Sequence, residues 1–176
     1  MKDNVKNAYN LVYSREDPAV SEIKDKGFPR ERNGALVYLA SNIKGRRLLE
    51  IGCGNGSVLY TLRHNFEELH GMEVSAVRVK TATSTLSGSG AKIIEASIEE
   101  HLNYEDGFFD LVLWSDVIEH VMDLWRAMEN IRRVTAKGGF LITTTPNIAK
   151  IKARISLMLG RFPATSGKEE GFAVRE

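Results

Sequence analysis

Two hydrophobic periods alternate along this chain. From Glu31 to Ile43, Leu36, Leu39, Ala40 and Ile43 recur at helical spacing until Gly45 stops the run, which predicts a helix. Arg47 to Ile51 is a short apolar run with the look of a buried strand, and Ser57 to Asn65 turns helical again. Glu68 to Glu73 predicts a second strand, Ser75 an N-cap for a helix reaching about Leu86, and SGSG at 87–90 a turn. Residues 91–95 predict a third strand and Phe108 to Trp114 a fourth. Met122 to Val134 predicts a helix with Leu124, Trp125, Met128, Ile131 and Val134 on its apolar side, so that Trp125 and Met128 are expected in the core. KGG at 137–139 breaks that helix, and Phe140 to Thr145 predicts a fifth strand. Strands alternating with helices imply a parallel sheet covered on both faces, because right-handed crossovers lay each helix over the sheet. The expectation is a doubly wound α/β domain.

Both ends are less regular. Residues 1–29 are polar with Tyr9, Tyr13 and Phe28 scattered among them, and are expected as a short helix and loop lying over the domain. Residues 148–160 place Ile148, Ile151, Ile155 and Met158 on one side and Lys150, Lys152 and Arg154 elsewhere. Such a basic amphipathic helix is suited to peripheral membrane contact, although packing on its own domain is the expected use. The organisation expected is a cap over 1–29, a ligand-binding core over 30–147 and an incomplete C-terminal end of the same domain over 148–176.

Composition narrows the function classes. With 176 residues and 43% hydrophobic positions, one well-buried domain is expected. The 24 Lys and Arg balance 23 Asp and Glu, so no global field draws in nucleic acid, and no nucleic-acid partner is expected. The single cysteine, Cys53, fits a reducing, cytoplasmic setting. The four histidines lack ligand spacing, so no metal is expected. The N-terminus is too polar for a signal peptide.

The chemistry concentrates in LLEIGCGNGSVL at 48–59, where a buried strand ends in an acid and runs into Gly52, Gly54 and Gly56. Glycines so spaced suggest a turn that receives a ligand beyond the carboxyl ends of the strands. A dinucleotide pattern calls for a small residue at position 57 and for no acid at the strand tip. Glu50 would repel a pyrophosphate and suits an ammonium or sulfonium, so the charge favours a cationic ligand. Glu73, ending the second strand, suits ribose hydroxyls in either reading.

Over residues 46–147 the chain resembles the class I S-adenosylmethionine-dependent methyltransferases. LLEIGCGNGSVL and GMEV at 71–74 look like their first two motifs. YEDGFFDLVLWSDVIEHV at 104–121 and RRVTAKGGFLITTTPN at 132–147 are similar to their fourth and fifth strand regions. The likeness is greatest to the ubiquinone-biosynthesis-like branch and, through 146–163, to the methionine-biosynthesis protein MetW. It implies a Rossmann-like fold and S-adenosylmethionine as cofactor. Glu50, Gly52, Cys53, Gly54, Asn55 and Gly56 would hold the methionine part, Glu73 the ribose, and Val74, Ser97 and Ile98 the adenine. Trp114 and Ser115 would offer a backbone carbonyl to the ammonium and floor the methyl-transfer site. The family usually carries an Asp where this chain has Ser97.

A sulfonium methyl is already activated, so few side chains are needed beyond those that align a small-molecule acceptor. Asp116, Glu119 and His120 are the candidates for a base. The sixth and seventh strands usual in the family have no clear counterpart here, since only GFAVRE at 171–176 begins to look like one, and an exposed sheet edge would favour a homodimer. Two alternatives are a silent module of the same fold acting through a protein partner and, less favoured, a nicotinamide-dependent reductase.

Overall fold

The computed structural model describes residues 10, 23, 32–147 and 149–161. The chain divides into two compact units, 1–144 and 145–176. In the first, five parallel strands form one sheet in the order β3-β2-β1-β4-β5. They are β1 (Arg47–Ile51), β2 (Glu68–Glu73), β3 (Lys92–Glu95), β4 (Phe109–Ser115) and β5 (Thr135–Thr144). The helices are α1 (Arg32–Ser41), α2 (Ser57–Leu62), α3 (Ala76–Thr85) and α4 (Leu124–Val134), with a 3-10 turn at Ile118–His120. The doubly wound α/β fold expected from the periodicity is the one found.

Side-chain alternation divides the core. Leu48, Leu111 and Leu113 face a cluster with Leu36 and Ala40 of α1, Val58, Leu59 and Leu62 of α2, and Ala82 of α3. Leu49, Ile51, Val112 and Trp114 face the opposite cluster with Ala127, Ile131 and Val134 of α4. On that second face no helix fills the connection from β3 to β4. Instead Ile98 and Leu102 plug the core, and α4 holds the segment by its backbone: Asn130 Nδ2 donates to the carbonyls of Ile98 (2.6 Å) and Glu100 (2.8 Å). Arg133 reaches the carbonyls of Leu102 (2.6 Å) and Tyr104 (2.6 Å).

The second-face stripe of α4 is therefore Ala127, Asn130, Ile131 and Val134. Trp125 and Met128 are corrected from core to surface, at 85% and 39% exposure. Ser75 caps α3 as expected, its hydroxyl accepting Arg78 N–H. KGG lies inside β5 rather than before it: Phe109 pairs with Thr135 and Leu111 with Phe140, so the intervening residues bulge out. Gly139 permits this, because a Cβ there would lie 2.9 Å from the Asp110 carbonyl oxygen.

Of the N-terminal stretch, Asn10 Oδ1 accepts the Ser75 hydroxyl at 2.8 Å and Ile23 N–H donates to Thr61 Oγ1 at 3.2 Å. Tyr9, Tyr13 and Phe28 fall outside the described residues. In the second unit, α5 (Ile151–Met158) has Ala153 buried and Ile151, Ile155 and Met158 exposed. Among the described residues no helix is long and apolar enough to cross a membrane. GFAVRE lies outside the described residues, and β5 is the last strand of the described sheet at that side.

Candidate active site

The carboxyl ends of β1, β2, β3 and β4 open into a cavity of about 1040 Å³. Its position follows from the strand order, which reverses direction at β1 and leaves a crevice between the β1 and β4 loops. Gly52, at φ 72°, turns the chain out of β1. A Cβ there would overlap Val117 Cγ2, so only glycine lets the β1 loop close against the segment after β4.

The N–H groups of five loop residues are engaged within the protein. Those of Gly52 and Cys53 go to the Met72 carbonyl at 2.7 and 3.0 Å, that of Gly54 to Glu73 Oε2 at 3.1 Å, and that of Gly56 to the Cys53 carbonyl at 2.8 Å. Ser57 donates its N–H to Asn55 Oδ1 at 3.2 Å. A pyrophosphate would find most of these donors taken and the Glu73 carboxylate facing it, which argues against the dinucleotide reading. Glu73 Oε1 accepts Val74 N–H (2.8 Å) and Ser75 N–H (3.0 Å), so its carboxylate is fixed at the rim of the cavity.

Glu50 differs from Glu73. It is 4% exposed, its Oε2 is buried without a hydrogen-bond partner, and it lines the cavity. Burial, with the Glu73 charge a lesser cause, pushes its carboxyl from the ordinary 4.5 up to about 8. A buried acceptor left unsatisfied is costly, and a bound ammonium or sulfonium offsets that cost. Cys53 is buried, with its Sγ against Gly71. Desolvation first, and the Glu50 and Glu73 charges next, push its thiol up, which disfavours the thiolate.

The expected residues divide cleanly. Glu50, Gly52, Cys53, Gly54, Asn55, Glu73, Val74, Ser97, Ile98, Ser115, Asp116 and His120 all line the cavity. Gly56 does not: it turns the chain into α2 against Ala82 of α3. Glu119 is exposed outside the lining. Trp114 is fully buried in the second core cluster and is not the floor, and its carbonyl accepts Thr143 Oγ1 at 2.9 Å. Asp116, at φ 53°, is the one described non-glycine residue with positive φ. Its N–H bonds the Thr144 carbonyl at 3.0 Å, while the Ser115 and Thr144 hydroxyls meet at 2.6 Å.

Sequence reasoning missed Arg78, Glu99 and Arg126, which also line the cavity. Arg78 was within reach of such reasoning, since it sits three positions after the recognised cap Ser75. Glu99 and Arg126 were not, because only the fold brings α4 beside the segment after β3.

A model described as "Methyltransferase domain" matches residues 49–143. The chain belongs to this methyltransferase-domain family. Among its relatives, the ubiquinone biosynthesis O-methyltransferase of Caulobacter sp. (strain K31) is 31% identical over 68% of this chain and 46% of its own. The chain spans about half the length of the curated relatives it matches. The solved PH0226 protein of Pyrococcus horikoshii OT3 superposes with a TM-score of 0.62 at 26% identity, covering 77% of this chain and 66% of that one. A structure described as an S-adenosylmethionine-dependent methyltransferase, possible histamine N-methyltransferase, from Thermotoga maritima gives 0.55 at 25% identity over 68% and 54%. Family and fold agree with a site built for a nucleoside ligand at the carboxyl ends of the strands. The unpartnered Glu50 oxygen and the fixed Glu73 carboxylate are the features a cationic nucleoside fits.

Proposed function

We propose that the chain binds S-adenosylmethionine and directs its methyl group to a small-molecule acceptor. The observation that carries this reading is the buried Glu50 carboxyl at the end of β1, unsatisfied on Oε2 and facing a loop whose N–H groups are largely spent. Glu50 holds the positive end of the ligand and Glu73 accepts from the ribose hydroxyls. Bound S-adenosylmethionine supplies an electrophilic methyl that needs no further activation. Ser115, Asp116 and Val117 line the same cavity as Glu50 and His120, and there they align the acceptor and exclude water. Asp116 or His120 takes the acceptor's proton, a role supported by their place in the lining rather than outside it like Glu119.

A hydroxyl acceptor is favoured by the O-methyltransferase names of the relatives. The same reading includes a cytoplasmic setting and no nucleic-acid partner. It also includes pairing of two copies through β5, supported by the exposed Phe140 and Leu141. Peripheral membrane contact through α5 is supported by its exposed Ile151, Ile155 and Met158.

The test is calorimetric titration with S-adenosylmethionine, S-adenosylhomocysteine and NADH, followed by assay of S-adenosylhomocysteine formation with a panel of small hydroxyl and amine acceptors. Micromolar binding of the first two and none of the third is expected. NADH binding alone would sink the reading. Cofactor binding without turnover on any acceptor would favour a silent module.

A further inference from the structure

We propose that His70 is a pH-sensitive latch on the wall of the ligand cavity: once protonated, it releases the segment 96–108 and with it the bound ligand. This rests on the cofactor reading above and adds a regulation to the same site. The latch lies behind the cavity. His70 packs against Phe109 of the second core cluster and is not among the lining residues.

The connection from β3 to β4 serves two surfaces in turn. Its first half, 96–101, lines the cavity. Its second half closes over His70: the Tyr104 and Phe108 rings meet the imidazole edge-on at 5.4 and 5.6 Å, and the Tyr104 hydroxyl lies 3.2 Å from Nδ1. Ring packing and the Asn130 and Arg133 bonds to its carbonyls hold this stretch in place of a helix, so what loosens the pocket loosens the wall.

The pocket accepts the neutral ring. His70 is 2% exposed, and its Nε2 is buried with no hydrogen-bond partner among the described residues, 3.8 Å from Glu68 Oε2. An imidazolium needs acceptors for two N–H groups. Of the charges around it, Glu68 on the same strand favours the proton, whereas Lys92, paired with it on β3, and Arg47 on β1 oppose it. Glu68 is shared, since its Oε1 accepts from Arg46 and Arg47 at 3.3 and 3.1 Å. Asp110 of β4 accepts the N–H groups of the same two arginines, and Arg133 of α4 is bonded to the Leu102 and Tyr104 carbonyls. Desolvation first, then Lys92, set the balance against the proton and hold the closed form below 6.5. An opened segment restores the ordinary value, so below 6.5 each pH unit favours opening by up to about tenfold.

The experiment measures S-adenosylhomocysteine affinity by calorimetry between about pH 7.5 and about pH 5 on the parent chain, His70→Phe and His70→Leu, with hydrogen-exchange protection of 96–108 followed on the same samples. Glu50, His101 and His120 are common to all three and cancel in the comparison. The parent is expected to lose at least about threefold more affinity than either variant over that range, with protection of 96–108 falling alongside. The two variants fill the pocket differently, so a shared change reports the missing proton and not the packing. Linkage supplies a check on the parent alone: bound ligand should lower the NMR titration midpoint of the His70 ring by at least about half a pH unit. Equal pH dependence in parent and variants, or a midpoint that the ligand does not move, would overturn the latch while leaving the cofactor reading standing. Failure of the parent to bind at any pH would overturn both.

Discussion

Glu50→Gln removes one proton-binding group from the centre of the site with almost no change of shape. In the free protein its carboxyl lies at about 8, so near pH 7 roughly nine molecules in ten carry the proton. A cationic ligand is met by the carboxylate, so binding releases close to one proton there. Affinity then climbs about tenfold per pH unit toward 8 and levels off above it.

Stability carries the opposite sign. The folded carboxyl is raised above the unfolded value of 4.5, so the fold favours the protonated form. Its contribution is complete below 4.5 and is lost as pH rises through 8, at about 1.4 kcal/mol per unit, or about 3 kcal/mol by pH 7. The E50Q protein lacks both slopes: the ligand-free variant should unfold at higher denaturant than the parent at pH 7, yet bind S-adenosylmethionine more weakly above pH 8. Titration of each protein in two buffers of different ionisation enthalpy counts the released protons. The cofactor's own amino group contributes equally in both and cancels in the comparison. Equal proton release in parent and variant, or parallel stability slopes with pH, would refute the reasoning.

Gly52→Ala sets a Cβ against Val117 and strains a backbone at φ 72°; a loss of at least about 2 kcal/mol in chemical denaturation is expected, with S-adenosylhomocysteine binding weakened alongside. On α4, Ile131→Ala should cost roughly 3 kcal/mol, whereas Trp125→Gln should stay within about 0.5, because only the former is buried. His70 is buried among Tyr104, Phe108 and Phe109, and desolvation first, then the Lys92 charge, lower its pKa from 6.5. Its neutral form stabilises the fold above 6.5 and that stability is lost as pH falls below it, so His70→Phe should flatten the acid side of a melting-temperature profile, and an unchanged profile would exclude this cause. Asp116→Gly should match or exceed the parent in thermal stability while Asp116→Ala should not, since glycine alone adopts φ 53° without strain.

The sequence by itself determined what is local. The period of two in β1 sends Leu48 and Leu49 to opposite faces, Ser75 caps its helix because its hydroxyl is short and correctly spaced, and the turn at Gly52 requires a residue without Cβ. These are properties of a few consecutive residues and their backbone, so order along the chain suffices to show them. Tertiary structure decided what depends on which surfaces meet. The apolar pattern of α4 fits two stripes. The one holding Trp125 lost because Asn130 and Arg133 bind the backbone of the segment after β3 and turn the opposite side outward. KGG reads as a helix breaker in isolation but becomes a bulge once β4 lies beside it. The protonation of Glu50 belongs to the same class. Burial raises its carboxyl, with the Glu73 charge a lesser cause, and both come from groups that only the folded sheet brings together.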